Sequence, residues 1–186
     1  MNLTINQTNL QTIEEDFMRV AEEILNTHIL QVDSEEYRIS NIEFYFYNHT
    51  NHKDENSHAL KYNRAKERQL LNSKWYLHKI SINPNYKHKG LDFTFGDGVS
   101  FGGILIKEAI NIRNNIKFSQ SKFIDELVDI LKPNSKEEFL KMIETDEKIM
   151  FIKKIIENKS IEALPRKGLV NETFKDSNYA YRLRDL

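Results

Sequence analysis

Apolar residues recur at helical spacing near the start of the chain and predict an amphipathic helix over residues 12–27. Its predicted inner stripe consists of Ile13, Phe17, Val20, Ala21 and Ile24. The first eleven residues are polar and rich in Asn, so we expect them to bury nothing and to form a flexible N-terminal segment.

Alternation of apolar and polar residues, with turn residues between the runs, predicts strands through the middle of the chain. The predicted strands cover residues 29–32, 38–47, 74–82, 91–95 and 103–107, with a terminal strand at 179–183. The strands at 91–95 and 103–107 flank Gly96-Asp97-Gly98, which indicates a hairpin.

Helical spacing of apolar residues, together with helix start and stop signals, predicts helices over residues 58–71, 121–131, 139–143 and 148–157. Ser135 and Glu138 form a capping-box signal for the third of these. We therefore expect an α+β fold, with a curved, mostly antiparallel sheet flanked by helices. Residues 12–186 would form one domain.

Composition narrows the classes of function. The 186 residues include no Cys, which excludes thiolate metal sites and cysteine nucleophiles, and a run of 18 to 20 apolar residues or a signal-peptide core is lacking. We expect a cytoplasmic, monomeric protein that needs neither a membrane nor an organic cofactor.

Charge is distributed unevenly along the chain. Residues 53–89 hold nine Lys and Arg against three Asp and Glu, a local balance of +6 in a chain whose net charge is -1. Aromatic residues interleave with these basic groups, a pattern that suits nucleic acid backbones and unstacked bases. The alternative is a solvated basic face, and the pI of 6.6 argues against indiscriminate DNA binding.

The sequence lacks the common motifs for metal binding, nucleotide binding and hydrolase nucleophiles. His49, His52, Asp54 and His58 are close in the chain but lack the helical HExxH spacing, so we predict no metal site. GxGxxG, Walker and GxSxG motifs do not occur.

One acid lies in an aromatic strand. Two-residue alternation in the strand at 38–47 places Glu43 on the same face as Ile39, Tyr45 and Tyr47. The opposite face would carry Ile42, Phe44 and Phe46. The plain alternative is a solvent-facing Glu on an edge strand. Five of the six glycines fall in residues 90–103, and Gly102-Gly103 suggests that a side chain or ligand crosses the strand there.

Together, Glu43, Tyr45 and His58 suggest hydrolysis of an N-glycosidic bond. A planar base can stack between the two rings, while the carboxylate holds a water and stabilises an oxocarbenium-like transition state.

At these residues the chain resembles the alkyladenine (3-methyladenine) DNA glycosylase superfamily. Residues 38–45 match its RI-x-E-x-E-x-Y stretch, which implies that Glu43 is the general base and Tyr45 a stacking residue. Residues 54–59 match a D-x-A-S-H-A-like segment, in which His58 is the second stacking residue. The resemblance implies the family fold and water as co-substrate.

Three weaker matches follow in the same order. Residues 75–78 match an aromatic strand, which assigns Tyr76 and His78 to base or duplex contacts. Residues 102–109 match the V-L-I-R-A-like strand, with Lys107 in place of an Arg that positions the water, and residues 164–169 match the G-P-R-x-G-I turn, which adds Arg166 to the substrate-binding set. We assign Tyr86 as a wedge into the duplex, against the alternative of an exposed turn residue.

The chain also departs from the family pattern. The first Glu of the paired acids is replaced by Asn41 or Ile42, Lys107 lacks the planar fork of Arg, and residues 87–96 have no close counterpart. Three hypotheses remain: a monofunctional DNA N-glycosylase for base excision repair, an N-glycoside hydrolase of free nucleosides or nucleotides, and a non-catalytic module that binds nucleic acid or modified bases.

Overall fold

The structure, a computed structural model, describes residues 1–154 and 158–184. Its α-helices are α1 Leu10–Thr27, α2 Asn63–Gln69, α3 Gln120–Leu131 and α4 Lys136–Glu144, with a short 3-10 helix at His58–Leu60. Its strands are β1 His28–Val32, β2 Glu35–Asn48, β3 His52–Lys53, β4 Asn72–His78, β5 Gly90–Phe95, β6 Phe101–Asn111, β7 Lys117–Ser119, β8 Ile149–Lys153, β9 Ile161–Leu164 and β10 Ala180–Leu183.

These strands form one curved sheet in which every described pairing is antiparallel, so the expected α+β class is confirmed. The strand order is β4-β5-β6-β2-β1-β8, and β10 pairs with both β2 and β9. The long strand β2 therefore has β6 along one edge and β1 and β10 along the other. Its middle is internal to the sheet.

The apolar stripe of α1 covers one face of this sheet. Phe17 is fully buried and stacks on Phe44 of β2, with ring centroids 4.6 Å apart and planes 21° apart. Asn9 caps the helix through its side chain. Leu3 and Ile5 are also buried in this core, so the expectation that the first eleven residues bury nothing is wrong.

A bulge in β2 corrects the predicted alternation. Ser40 has no partner between the pairs Ile39–Ala109 and Asn41–Glu108, and such an extra residue moves the later side chains of β2 to the other face. Ile39 consequently joins Ile42 and Phe44 in the core instead of sharing a face with Glu43. Simple two-residue counting cannot detect such a bulge.

Residues 149–153 form β8, an antiparallel partner of β1, where the sequence predicts a helix over 148–157; positions 155–157 lie outside the described residues. The segment is rich in Ile, and pairing with the open edge of β1 outweighs its helical spacing. The helix predicted over 58–71 is divided into the 3-10 helix and α2. None of the described helices combines the length and apolarity that crossing a bilayer requires.

Candidate active site

Glu43 lies on the face of the sheet opposite α1. It pairs with Leu105 of β6, which pairs with Asp92 of β5, which pairs in turn with Tyr76 of β4. Directly opposed residues project to the same side, so these four share one face. Glu43 is 4% exposed and β2 is internal, which rules out the alternative of a solvent-facing Glu on an edge strand.

Within residues 1–154 and 158–184, two groups contact the carboxylate of Glu43, one at each oxygen. The hydroxyl of Tyr45 donates a hydrogen bond to Oε2 at 2.8 Å. The Nζ of Lys107 lies 3.4 Å from Oε1, and the Lys107 side chain is 28% exposed. Glu43 and Lys107, which the resemblance assigns to the catalytic set, therefore form an ion pair, and the lysine connects the buried acid to the surface.

The rings of Tyr45 and His58 are near-parallel, with planes 15° apart and centroids separated by 6.1 Å. A planar ring between two others needs a separation of about 7 Å, twice the usual contact distance. The closed pair has the geometry of an offset stack, so the two rings must move apart to admit a heterocycle. The structure thus brings together the three side chains that the sequence analysis singled out.

Burial sets the protonation of both rings. It lowers the pKa of His58 to about 4, so the imidazole is neutral near pH 7. Burial, reinforced by the adjacent Glu43, raises the pKa of Tyr45, so its hydroxyl stays protonated and remains a donor. Both rings are therefore uncharged surfaces that suit stacking on a neutral base.

The two adjacent glycines of β6 make room for neighbouring side chains. A Cβ on Gly103 would lie 2.6 Å from Nε2 of Gln69, and one on Gly102 would lie 2.6 Å from the ring of Phe95. The prediction that a side chain crosses this strand is confirmed. Gln69 also accepts hydrogen bonds from the Ser57 hydroxyl and the Ala59 N–H, both at 3.2 Å, which fixes the turn that delivers His58.

Arg166 does not reach the surface, which corrects its expected role in binding substrate. Its side chain is fully buried and pairs with Asp54 at 2.6 Å, and the same nitrogen donates to the Phe44 carbonyl at 3.0 Å. The guanidinium carbon lies 4.7 Å from the centroid of the Tyr45 ring. Arg166 is therefore a positioning residue that supports Tyr45 from within the protein.

Tyr76 and His78 lie on the same face but are both buried. Arg64 lies over the Tyr76 ring at 4.9 Å, and burial raises the pKa of Tyr76. The His78 ring meets His58 at 4.7 Å between centroids and 76° between planes. Both predicted residues therefore border the site, with His78 in contact with a stacking residue and Tyr76 two residues before it on β4.

Asp92 is a site residue that the sequence analysis missed. It is 3% exposed, and its Oδ1 lies 3.4 Å from Nδ1 of His78. The sequence pattern that singles out Glu43 also occurs here, because Asp92 is an acid between an aliphatic and an aromatic neighbour on a predicted strand. The atoms of His58, His78 and Asp92 that could bind a metal all lie within 4.8 Å of one another.

His49 and His52, the histidines of the predicted loop, do not join this cluster. His52 is buried, with Nδ1 2.8 Å from the Phe46 carbonyl and Nε2 3.0 Å from the Tyr179 hydroxyl. His49 is exposed. Since Asp54 is committed to Arg166, this run gathers no ligand set of its own.

A surface cleft of about 480 Å³ opens beside His78. It is lined by His78, Lys79, Pro84, Tyr86, Lys87, His88, Ser119, Gln120, Ser121, Lys122 and Asp125. Tyr86 is 38% exposed here and meets His88 at 5.9 Å. Lys89 by contrast is buried and pairs with Asp125, so only part of the basic segment faces solvent.

A scan against protein-family models and a search of curated proteins both find no match for this chain.

Proposed function

We propose that the protein is a monofunctional DNA N-glycosylase that releases a damaged or modified base flipped into the space between Tyr45 and His58. The observation that carries this proposal is the placement of a buried acid, Glu43, beside two near-parallel uncharged rings, with Lys107 3.4 Å from its carboxylate. Each of these groups has a distinct task in breaking an N-glycosidic bond.

In the proposed reaction, the bond between the anomeric carbon and the base nitrogen breaks, and its electron pair leaves with the base. The sugar passes through an oxocarbenium-like state that the Glu43 carboxylate stabilises. A water held by Glu43 and Lys107 adds to the anomeric carbon and gives its proton to Glu43. Glu43 then returns this proton, through solvent, to the departed base. The products are a free base and an abasic sugar, and water is the co-substrate.

Tyr45 contributes in two ways that its geometry separates. Its ring is one wall of the base pocket, and its hydroxyl holds Oε2 of Glu43 at 2.8 Å. Arg166, fully buried behind the ring, supports that wall. The water would then occupy the side of the carboxylate that faces Lys107.

A polyanionic substrate is supported by the surface next to the site. The cleft beside His78 carries exposed Lys79, Lys87 and His88, which are suited to phosphate contacts. Tyr86 lies in the same cleft and is exposed enough to fill the space that a flipped base leaves. We therefore favour DNA over a free nucleoside.

The test is a screen of oligonucleotides, each with one modified base, for abasic-site formation under single-turnover conditions. Glu43→Gln serves as the inactive control. We expect release of at least one base by the native chain and affinity that falls steeply as salt rises. Release from free nucleosides with little salt dependence would replace DNA by a small substrate. DNA binding with no base release at high enzyme concentration would identify a non-catalytic module.

A further inference from the structure

Three potential metal ligands meet at the edge of the proposed base pocket. His58 comes from the 3-10 helix, His78 from the end of β4 and Asp92 from β5, and the coordinating atoms of all three lie within 4.8 Å of one another. Two imidazoles and one carboxylate are a ligand set that divalent transition metals favour. Residues 20 and 14 positions apart, on different elements, show no spacing that a sequence motif would reveal.

His78 and Asp92, the two buried members of this cluster, direct polar atoms towards each other without forming a hydrogen bond. Nδ1 of His78 and Oδ1 of Asp92 are 3.4 Å apart, and neither has a hydrogen-bond partner within residues 1–154 and 158–184. Their side chains are only 6% and 4% exposed. Buried polar atoms nearly always have partners, so this pair indicates that a further group belongs between them.

The backbone beneath His78 is shaped for the imidazole. A Cβ on Gly90, the residue opposite His78 in β5, would lie 2.1 Å from Cε1 of that ring. Gly90 therefore lets the imidazole lie flat against the strand and fixes its direction. A ligand ring held in this way is preorganised for coordination.

From these observations we infer that His58, His78 and Asp92 bind a divalent transition-metal ion, for which Zn²⁺ is the expected occupant. Ligand atoms about 2.1 Å from a tetrahedral Zn²⁺ are about 3.4 Å apart, which is the separation of the His78 and Asp92 atoms. Closing the 4.8 Å spread of the cluster requires a movement of about 1 Å. Mg²⁺ is disfavoured because it prefers oxygen ligands in octahedral geometry.

This site is compatible with the proposed base pocket and does not depend on it. The lone pair of an imidazole nitrogen lies in the ring plane, so a metal at the edge of His58 leaves its face free to oppose Tyr45. The planes of His58 and His78 differ by 76°, which lets their edges converge on one point. The metal would fix the orientation of the His58 ring that forms one wall of the pocket.

Metal binding is tested on the full chain after dialysis against a chelator. Calorimetric titration with ZnCl₂ should give one site per chain, and Asp92→Asn should weaken that affinity at least tenfold. His88→Gln is the matched control, because His88 is an exposed imidazole in the adjacent cleft and should leave the affinity unchanged. MgCl₂ should not compete.

X-ray absorption on the Zn²⁺-loaded native chain provides a readout that needs no variant to fold. We expect two imidazole ligands and oxygen ligands at about 2.0–2.1 Å. The inference is overturned if the native chain binds no Zn²⁺, if Asp92→Asn binds as tightly as the native chain, or if fewer than two imidazoles surround the bound ion. Loss of base release alone would bear on the proposed function and not on the metal.

Discussion

The hydroxyl of Tyr45 donates a 2.8 Å hydrogen bond to Oε2 of Glu43, so the residue that walls the base pocket also orients the acid. The two residues lie two positions apart on β2 and project from the same face. The ring and the hydroxyl of Tyr45 therefore have different roles. A substitution that removes only the hydroxyl should have a different effect from one that removes the whole side chain.

Tyr45→Phe should slow base release by roughly 10- to 100-fold with little change in affinity for DNA. The variant keeps the ring but removes a hydrogen bond to a carboxylate, a loss of about 1.5–3 kcal/mol. Tyr45→Ala should in addition weaken binding of the modified site, because stacking on one base contributes about 1–3 kcal/mol. Single-turnover rates as a function of enzyme concentration separate the two effects. Equal behaviour of both variants would contradict the dual role.

Lys107→Met should lower the rate of base release by about 100-fold, because it removes the cation that faces the attacking water. Lys107→Arg should retain most of the activity, since it keeps the charge. Lys117→Met is the matched control: that lysine lies 3.4 Å from Glu108, the same ion-pair distance, but away from the site. A loss in Lys117→Met as large as that in Lys107→Met would remove the specific role of Lys107.

Gly103→Ala should destabilise the protein by about 1–3 kcal/mol, because its Cβ would lie 2.6 Å from the buried Gln69 amide. Urea unfolding measures the change in free energy. The double variant Gly103→Ala, Gln69→Ala should lose less than the sum of the two single variants, since shortening Gln69 removes the clash. Strict additivity would show that the two positions do not interact.

Stability should fall as the pH drops below about 6.5, in part because of His52. Burial lowers the pKa of His52 in the folded protein, so the unfolded chain takes up a proton that the folded chain resists. The contribution is complete above pH 6.5 and is lost progressively on acidification. His52→Gln should flatten the dependence of unfolding free energy on pH between 7.5 and 5, whereas exposed His49→Gln should not. An unchanged slope in His52→Gln would contradict the assignment.

Local pattern was enough to predict most of the fold. The stripe on α1, the Asp-Gly hairpin and the N-cap at Ser135 are each encoded within a few residues, and all are present. The predicted capping box is only half formed, because the Glu138 carboxylate accepts from the Asn134 N–H instead of the Ser135 N–H. The helix predicted at 148–157 is wrong over its described part because its outcome depends on β1, more than 100 residues away. Ile39 is misplaced for a similar reason, since a bulge in the pairing with β6 changes its face.

The site shows the same division. Glu43 and Tyr45 could be predicted because the pairing of β2 with β6 is regular from Ile42 onwards. Lys107 was assigned from the resemblance alone, and it lies where that pairing shifts register. Asp92 was not predicted as a site residue, because it lies close to His58 and His78 only in the folded protein. Arg166 was assigned to substrate from a motif, but its burial with Asp54 depends on contacts far apart in sequence.

The most direct test of the central claim is the single-turnover rate of base release by Glu43→Gln, on the modified oligonucleotide that the native chain cleaves best. The variant keeps an oxygen for the Tyr45 hydroxyl but cannot take a proton from water, so the rate should fall by at least about 1,000-fold. DNA affinity should change less than about threefold, and Glu108→Gln, an acid on β6 that pairs with Lys117, should behave like the native chain. Base release by Glu43→Gln at the native rate would contradict the account.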